Sequence, residues 1–383
     1  MAENKAARLF YLDNMRIFLI SLIVLLHLAI TYGAPGDWEY NEVSVDDIDT
    51  LTLIIFALFN GTVQSFSLGL FFMISGYFTA ISFDRKGTGQ FLKDRFVRLG
   101  IPLMIFVIFI YPVMTYILRI VDRGDDITFF HFIVEYIKTT RTLGVGPLWY
   151  VEALLLFSVI YALWRRITRN IFESTRFIWN VPGNTVIALF ALVVGIMSFT
   201  VRIWLPVFWS FELLGFQFPH FSQYICFFTA GIWAYRGNWF NAVSDGSGKF
   251  WLILSPVLIL LFPVVIFISG ATECDMSIFG GLNWKSFVYS LWEQFLCAGM
   301  AVGLTVLFRK RFNFGGKFAR TLSASTYTVY IIHAPVIILL CLALKNITVY
   351  PLLKFVLVAP VAVTLCFLLG YAIRKLPYAR KIL

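Results

Sequence analysis

Charge is scarce in this sequence. Asp, Glu, Lys and Arg make up 14% of its 383 residues, against about 25% in an ordinary globular domain. A chain so poor in charge, and 60% hydrophobic, is neither disordered nor a soluble enzyme. Cysteine is sparse as well. The five cysteines (Cys226, Cys274, Cys297, Cys341 and Cys366) show no CxxC or metal-ligand spacing, so neither a disulfide scaffold nor a metal site is expected. Long polar stretches and internal repeats are missing too, and residues 1–383 read as one membrane domain. No small-residue cleavage site follows the first apolar block, which is therefore expected to stay as an anchor.

What is abundant is apolar and aromatic, including 41 Phe, 17 Tyr and 11 Trp. A hydrocarbon core about 30 Å thick takes about 20 apolar residues per helix. Blocks of that kind lie near 16–33, 62–82, 99–118, 147–164, 185–204, 219–236, 251–269, 286–308, 323–344 and 352–373. They predict an all-α, polytopic membrane helical bundle with about ten transmembrane helices. The apolar stretch 51–61 fits either an interfacial helix or the outer part of a long second span. With the N-terminus inside, 23 of the 31 basic residues but only 6 of the 21 acidic ones fall on inner segments. Both termini are thus expected to be cytoplasmic. The first outer loop has no basic residue and carries Asp37, Glu39, Glu42, Asp46, Asp47 and Asp49. The net charge of +10 is a topology signal; the lipid bilayer is the expected partner, and nucleic acid is not.

Ionisable groups inside spans are costly and point to function. Arg16 and His27 are separated by eleven helical steps, which rise about 16 Å and complete close to three turns. Both therefore lie on one face of the first span, Arg16 at the cytoplasmic edge and His27 deep. A snorkelling arginine and a packed histidine would give the same spacing. Glu152 on the fourth span has a depth comparable to His27, and a carboxylate beside an imidazole would orient it as a general base. Glu293, behind Trp292, and His333 also fall inside spans, where hydrogen bonding between helices is the simpler role. Arg95 and Arg98, three apart before Gly100-Ile101-Pro102, would share one helical face. Such guanidinium pairs suit phosphates, although they also serve as inner-side anchors. Arg202 sits at the outer end of the fifth span.

These residues come in a recognisable order. Tyr11-Leu12-Asp13-Asn14-Met15-Arg16, followed after ten residues by His27-Leu28-Ala29-Ile30-Thr31-Tyr32-Gly33, resembles the opening of acyltransferase family 3. The likeness continues through Phe71-Phe72-Met73-Ile74-Ser75-Gly76-Tyr77-Phe78, Arg95-x-x-Arg98 and Pro147-Leu148-Trp149-Tyr150-Val151-Glu152. It ends with Ser325-Thr326-Tyr327-Thr328-Val329-Tyr330-Ile331-Ile332-His333-Ala334-Pro335. Glucan-biosynthesis succinyltransferases are similar in size and in the Ile-Ser-Gly-Tyr-Phe and Gly-Ile-Pro segments. Where many relatives have two adjacent histidines, this chain has Leu26-His27.

The resemblance implies a multi-pass bacterial enzyme of the cytoplasmic (inner) membrane that O-acylates an extracytoplasmic glycan or other envelope molecule. Its acyl donor, an acyl-CoA carrying acetyl or succinyl, would be a substrate, with no resident cofactor. His27, Glu152 and Arg16 are the implied catalytic group, and Arg95, Arg98 and Arg16 the donor-phosphate site. Asp13, Tyr32, Trp149, Glu293 and His333 would support them, while Trp38 and Tyr40 of the first outer loop and the 119–146 loop would shape the acceptor side. An envelope-synthesis or relay protein is a further expected partner. A multi-span transporter or flippase without covalent chemistry is the competing reading; inverted repeats would favour it.

Overall fold

A computed structural model describes residues 9–139, 144–168, 180–268 and 275–383. Cys274 and part of the second outer loop lie outside them. Every regular element among the described residues is helical, apart from an isolated bridge between Phe211 and Phe216. In a hydrocarbon core only such hydrogen-bonded backbones are tolerated.

Helix α1 is Phe10–Thr31 and α2 is Thr50–Arg95. Asp49 caps α2 by accepting from the amides of Leu51 and Thr52, both at 3.1 Å. The apolar stretch 51–61 is therefore the outer part of a long helix. Gly87, at φ 72°, breaks the rod where an inner loop is expected, a conformation glycine adopts at no steric cost. Beyond it, Phe96–Gly100 and Phe106–Ile110 wind as wider π-turns around α3 (Ile101–Ile105), and α4 is Tyr111–Val121. There follow α5 (Phe129–Thr139), α6 (Trp149–Ile167), α7 (Asn184–Arg202), α8 (Phe221–Arg236) and α9 (Trp239–Ala242). The rest are α10 (Asp245–Ile268), α11 (Trp284–Arg311), α12 (Lys317–Leu344), α13 (Pro351–Lys375) and α14 (Ala379–Ile382).

Eight of these helical stretches are long and apolar enough to cross a membrane. The difference from ten has two causes. The second and third expected spans share one helical run, Thr50–Val121, and α8 has only 16 residues. Helices α1, α11 and α12 form the buried centre, whereas α7, α10 and α13 leave most of their apolar surface outward. Leu260 and Phe267 of α10, 69% and 74% exposed, are side chains for lipid rather than water.

Two glycines set the crossing of α2 and α8. A Cβ on Gly76 would lie 2.0 Å from the Phe228 carbonyl oxygen, and one on Gly231 1.9 Å from that of Met73. Backbones approach this closely only where both side chains are missing. Polar ties gather at the two ends of the bundle. Asp84 receives a bidentate Arg236 (2.6 and 2.9 Å) and lies 3.6 Å from Arg165, all three at ends expected to be inner. Asn14 donates to the carbonyls of Phe312 (2.6 Å) and Phe314 (2.9 Å), also at the expected inner end. At the end expected to be outer, Lys354 pairs with Glu42, and Tyr350 donates to Asp49 at 2.5 Å.

Candidate active site

At the buried centre α1 and α12 bring two imidazoles together. His27 Nδ1 and His333 Nε2 are 3.1 Å apart, and His333 Nδ1 lies 2.6 Å from the Tyr330 carbonyl oxygen. A carbonyl only accepts, so for neutral rings the His333 proton is on Nδ1 and its Nε2 is an acceptor. His27 then donates from Nδ1 to His333, and the Ile23 backbone is a second hydrogen-bonding neighbour of the His27 ring. The chain Tyr330 carbonyl, His333, His27 fixes the tautomer a general base needs. His333 is fully buried. Sequence reasoning had Glu152 orient His27; the ring's hydrogen bond goes to His333 instead. Glu152 sits half-buried on α6, its Oε2 buried without a partner.

The first outer loop folds inward over this pair. The Trp38 indole stacks on His27 at 4.0 Å between centroids and 15° between planes. The loop is pinned along its length. Asn60 donates to the Pro35 carbonyl (3.1 Å), Tyr111 to Glu39 Oε2 (3.1 Å) and Lys354 to Glu42. Burial pushes the Glu39 carboxyl above its ordinary 4.5, with the Tyr111 hydroxyl acting in the opposite sense. Tyr40 is buried, and one face of Trp38 is taken by His27. Tyr40 therefore lies in the packing beneath the loop, while Trp38 keeps one ring face towards His27.

At the end expected to be inner, Arg16 and Arg95 both lie within electrostatic reach of the Tyr150 phenol. Tyr150 in turn shares a 2.7 Å hydrogen bond with Ser75 of the Ile-Ser-Gly motif. Arg16 is half-buried, 3.9 Å from Asp13. Arg95 turns inward, donating to Thr79 Oγ1 at 3.1 Å and lying over the Phe91 ring. Arg98 is exposed, and its carbonyl accepts from Tyr327 at 2.7 Å. Arg98 lies within the π-turn that starts at Phe96, so the spacing between the two arginines departs from that of a regular α-helix, and Arg98 is within electrostatic reach of Arg95. Tyr327, Tyr330 and His333 succeed each other at three-residue steps along α12. They connect the arginine mouth to the imidazole pair.

The other expected residues lie elsewhere. Glu293 is 2.7 Å from Arg202 and 3.4 Å from His220, and Gln294 donates to it at 2.9 Å. Arg202 also donates to Ser290 at 3.2 Å. This buried charge cluster ties α7, α8 and α11 together, the interhelical role that sequence reasoning preferred for Glu293. Trp149 packs on Tyr224, 5.6 Å between rings. Tyr32 is fully buried under Lys354 and accepts from Cys341; it belongs to the outer anchorage. Sequence reasoning missed His220 and the stacking of Trp38. The only hint of His220 was its place after Pro219 at the edge of an apolar block.

Eight membrane-length stretches around a buried imidazole pair, with arginines at one mouth, define a multi-pass membrane protein equipped for chemistry inside its bundle. The comparisons with known proteins narrow that class. Residues 9–371 match a family model described as an acyltransferase domain, and the chain belongs to that family, acyltransferase family 3. Relatives include the glucans biosynthesis protein C of Escherichia coli strains K12, K12 / DH10B and O1:K1 / APEC. Each is 24% identical over 173 residues, 45% of this chain and 43% of the relative. The match thus spans less than half the length of those proteins. No solved structure matches.

Proposed function

We propose that this protein is an O-acyltransferase of the inner membrane. It moves an acetyl or succinyl group from an acyl-CoA at the cytoplasmic face to a hydroxyl of an extracytoplasmic glycan or envelope molecule. Ten spans with both termini cytoplasmic complete this reading, α8 and the two halves of the Thr50–Val121 run each crossing once. The observation that carries it is the His27–His333 imidazole pair, anchored on the Tyr330 carbonyl, between a cationic inner mouth and the outer loop.

The donor's phosphates dock on Arg95, Arg98 and Arg16, and its pantetheine arm follows the Tyr327–Tyr330 row upward. His27 Nε2 takes the proton of the acceptor hydroxyl as its oxygen attacks the thioester carbon. The tetrahedral intermediate collapses, the C–S bond breaks, and the thiolate recovers that proton from His27. His333 holds the base in its tautomer throughout.

Purified protein in nanodiscs, given labelled acetyl-CoA or succinyl-CoA and a periplasmic oligosaccharide fraction, tests the proposal. His27→Ala should abolish transfer while leaving the protein folded; undiminished transfer would sink the general-base role. Arg95→Ala should mainly raise the donor KM, since phosphate docking is largely ground-state binding. An unchanged KM would make Arg95 a topological anchor. A transporter would move label without forming any ester.

A further inference from the structure

Trp38 holds a polar atom that the mechanism has not used. Its indole Nε1–H is buried and has no hydrogen-bond partner. Buried donors are nearly always paired, and an exception calls for a reason. Trp251 carries another unpartnered indole N–H, but that ring sits in apolar packing among residues such as Leu304 and Phe308. Trp38 is different, because its ring lies flat against the base at 4.0 Å.

The indole is also held on both sides in sequence. Asn60 fixes the Pro35 carbonyl, Tyr111 fixes Glu39, and the amide of Glu42 donates to the Thr31 carbonyl at 2.8 Å. A donor that is desolvated, unpartnered and fixed beside the reacting group stabilises charge that appears only in the transition state.

Resting on the acyl-transfer reading above, we propose that Trp38 Nε1–H is an oxyanion donor for that transfer. As the acceptor oxygen bonds to the thioester carbon, the C=O electron pair moves onto the carbonyl oxygen. The indole N–H donates to this oxygen until the pair returns, the C=O re-forms and the C–S bond breaks. The leaving thiolate takes its proton from the His27 imidazolium, so the products are an ester and a free thiol. Trp38 is then a catalytic residue supplied by the outer loop, opposite in origin to the inner arginines.

The full chain in nanodiscs, with labelled acetyl-CoA or succinyl-CoA and the periplasmic oligosaccharide fraction, provides the test. Trp38→Phe keeps an aromatic face on His27 and removes the N–H. Loss of one oxyanion donor lowers kcat about 10²–10³-fold, and the donor KM should stay within about twofold of wild type. Replacement of Trp38 by its benzothiophene analogue, with sulfur in place of the N–H, keeps the ring shape and decides the matter should the phenylalanine variant misfold. Full kcat in either variant, or a loss confined to KM, overturns the assignment. Active Trp38 variants beside an inactive His27→Ala would refute this inference alone. An active His27→Ala, or no turnover by wild type with either donor, would refute the reading beneath it.

Discussion

His333 is the residue whose removal best separates a positioned base from a merely buried histidine. His333→Phe keeps an aromatic ring in a fully buried site but deletes the Nε2 that accepts from His27 at 3.1 Å. The orphaned Nδ1–H of His27 then costs about 1–3 kcal/mol, the penalty for an unsatisfied buried donor. The ring can relieve that cost by turning or by moving its proton to Nε2, and either escape removes the base. Loss of an orienting partner typically costs about 10–100-fold, and a wrong tautomer about 10⁴-fold. We therefore expect kcat to fall by about 10² to 10⁴ with an unchanged donor KM, because the arginines that would dock the donor are untouched. His333→Gln offers a side-chain oxygen to the same N–H and should restore activity to within about tenfold of wild type. Transfer from labelled acyl-CoA in nanodiscs reads both parameters, and size-exclusion elution confirms folding. A folded His333→Phe within twofold of wild type would refute the tautomer argument.

Three other outcomes follow from the structure. Gly76→Ala places a methyl group 2.0 Å from the Phe228 carbonyl oxygen, forcing α2 and α8 apart. Overpacking of this kind costs about 1–3 kcal/mol, so the thermal midpoint in detergent should drop, and an unshifted midpoint would show that the crossing can relax freely. Glu39→Gln should stabilise the protein near neutral pH. A carboxyl whose folded pKa is raised above its ordinary 4.5 contributes stability at low pH that is lost as pH rises through the folded value. The midpoint gain of the glutamine variant should therefore shrink as pH falls toward 4.5; a gain that grows on acidification reverses the sign. Finally, the donor KM should rise between low and high salt, since exposed cations are screened beyond about 10 Å at 0.1 M. A salt-independent KM would count against phosphate docking at Arg98.

Much of the fold was legible because one rule dominates it: a bilayer demands apolar blocks of fixed length. The ends of α1, α6, α7, α10, α11, α12 and α13 fall near the blocks read from sequence. The rule failed where helix and span part company. At Gly87 the inner connection stays helical on either side of one glycine, and α8 begins late because Phe218–His220 winds as a 3-10 turn. The site was legible as a set of depths, not as a set of partners. Rise per residue placed His27 and Glu152 at similar levels, but rotation and packing decide neighbours, and they gave His27 to His333. The Arg95–Arg98 face was read with 3.6 residues per turn, whereas the segment that carries Arg98 winds wider as a π-turn.

The charge asymmetry from which sidedness is read also bears on the proposed direction of transfer. With 23 basic and 6 acidic residues on the segments expected to be inner, a polyanionic CoA, the donor proposed above, would meet an attractive field at that mouth. The outer segments, with 8 basic and 15 acidic residues, repel it. A neutral glycan acceptor, as proposed, would feel neither field strongly and would have to be recognised by shape and hydrogen bonding. Trp38, beside Glu39, is the residue of the acidic outer loop that stacks on His27. On the proposed function the two substrates would be separated by opposite physics: electrostatics would deliver the donor from one side, and a fitted, desolvated loop would admit the acceptor from the other. The Arg202–Glu293 pair fits neither task. Its charges are spent on each other and on His220, Ser290 and Gln294. A buried pair is costly to break from one side, which suits a joint between α7 and α11 better than a substrate site.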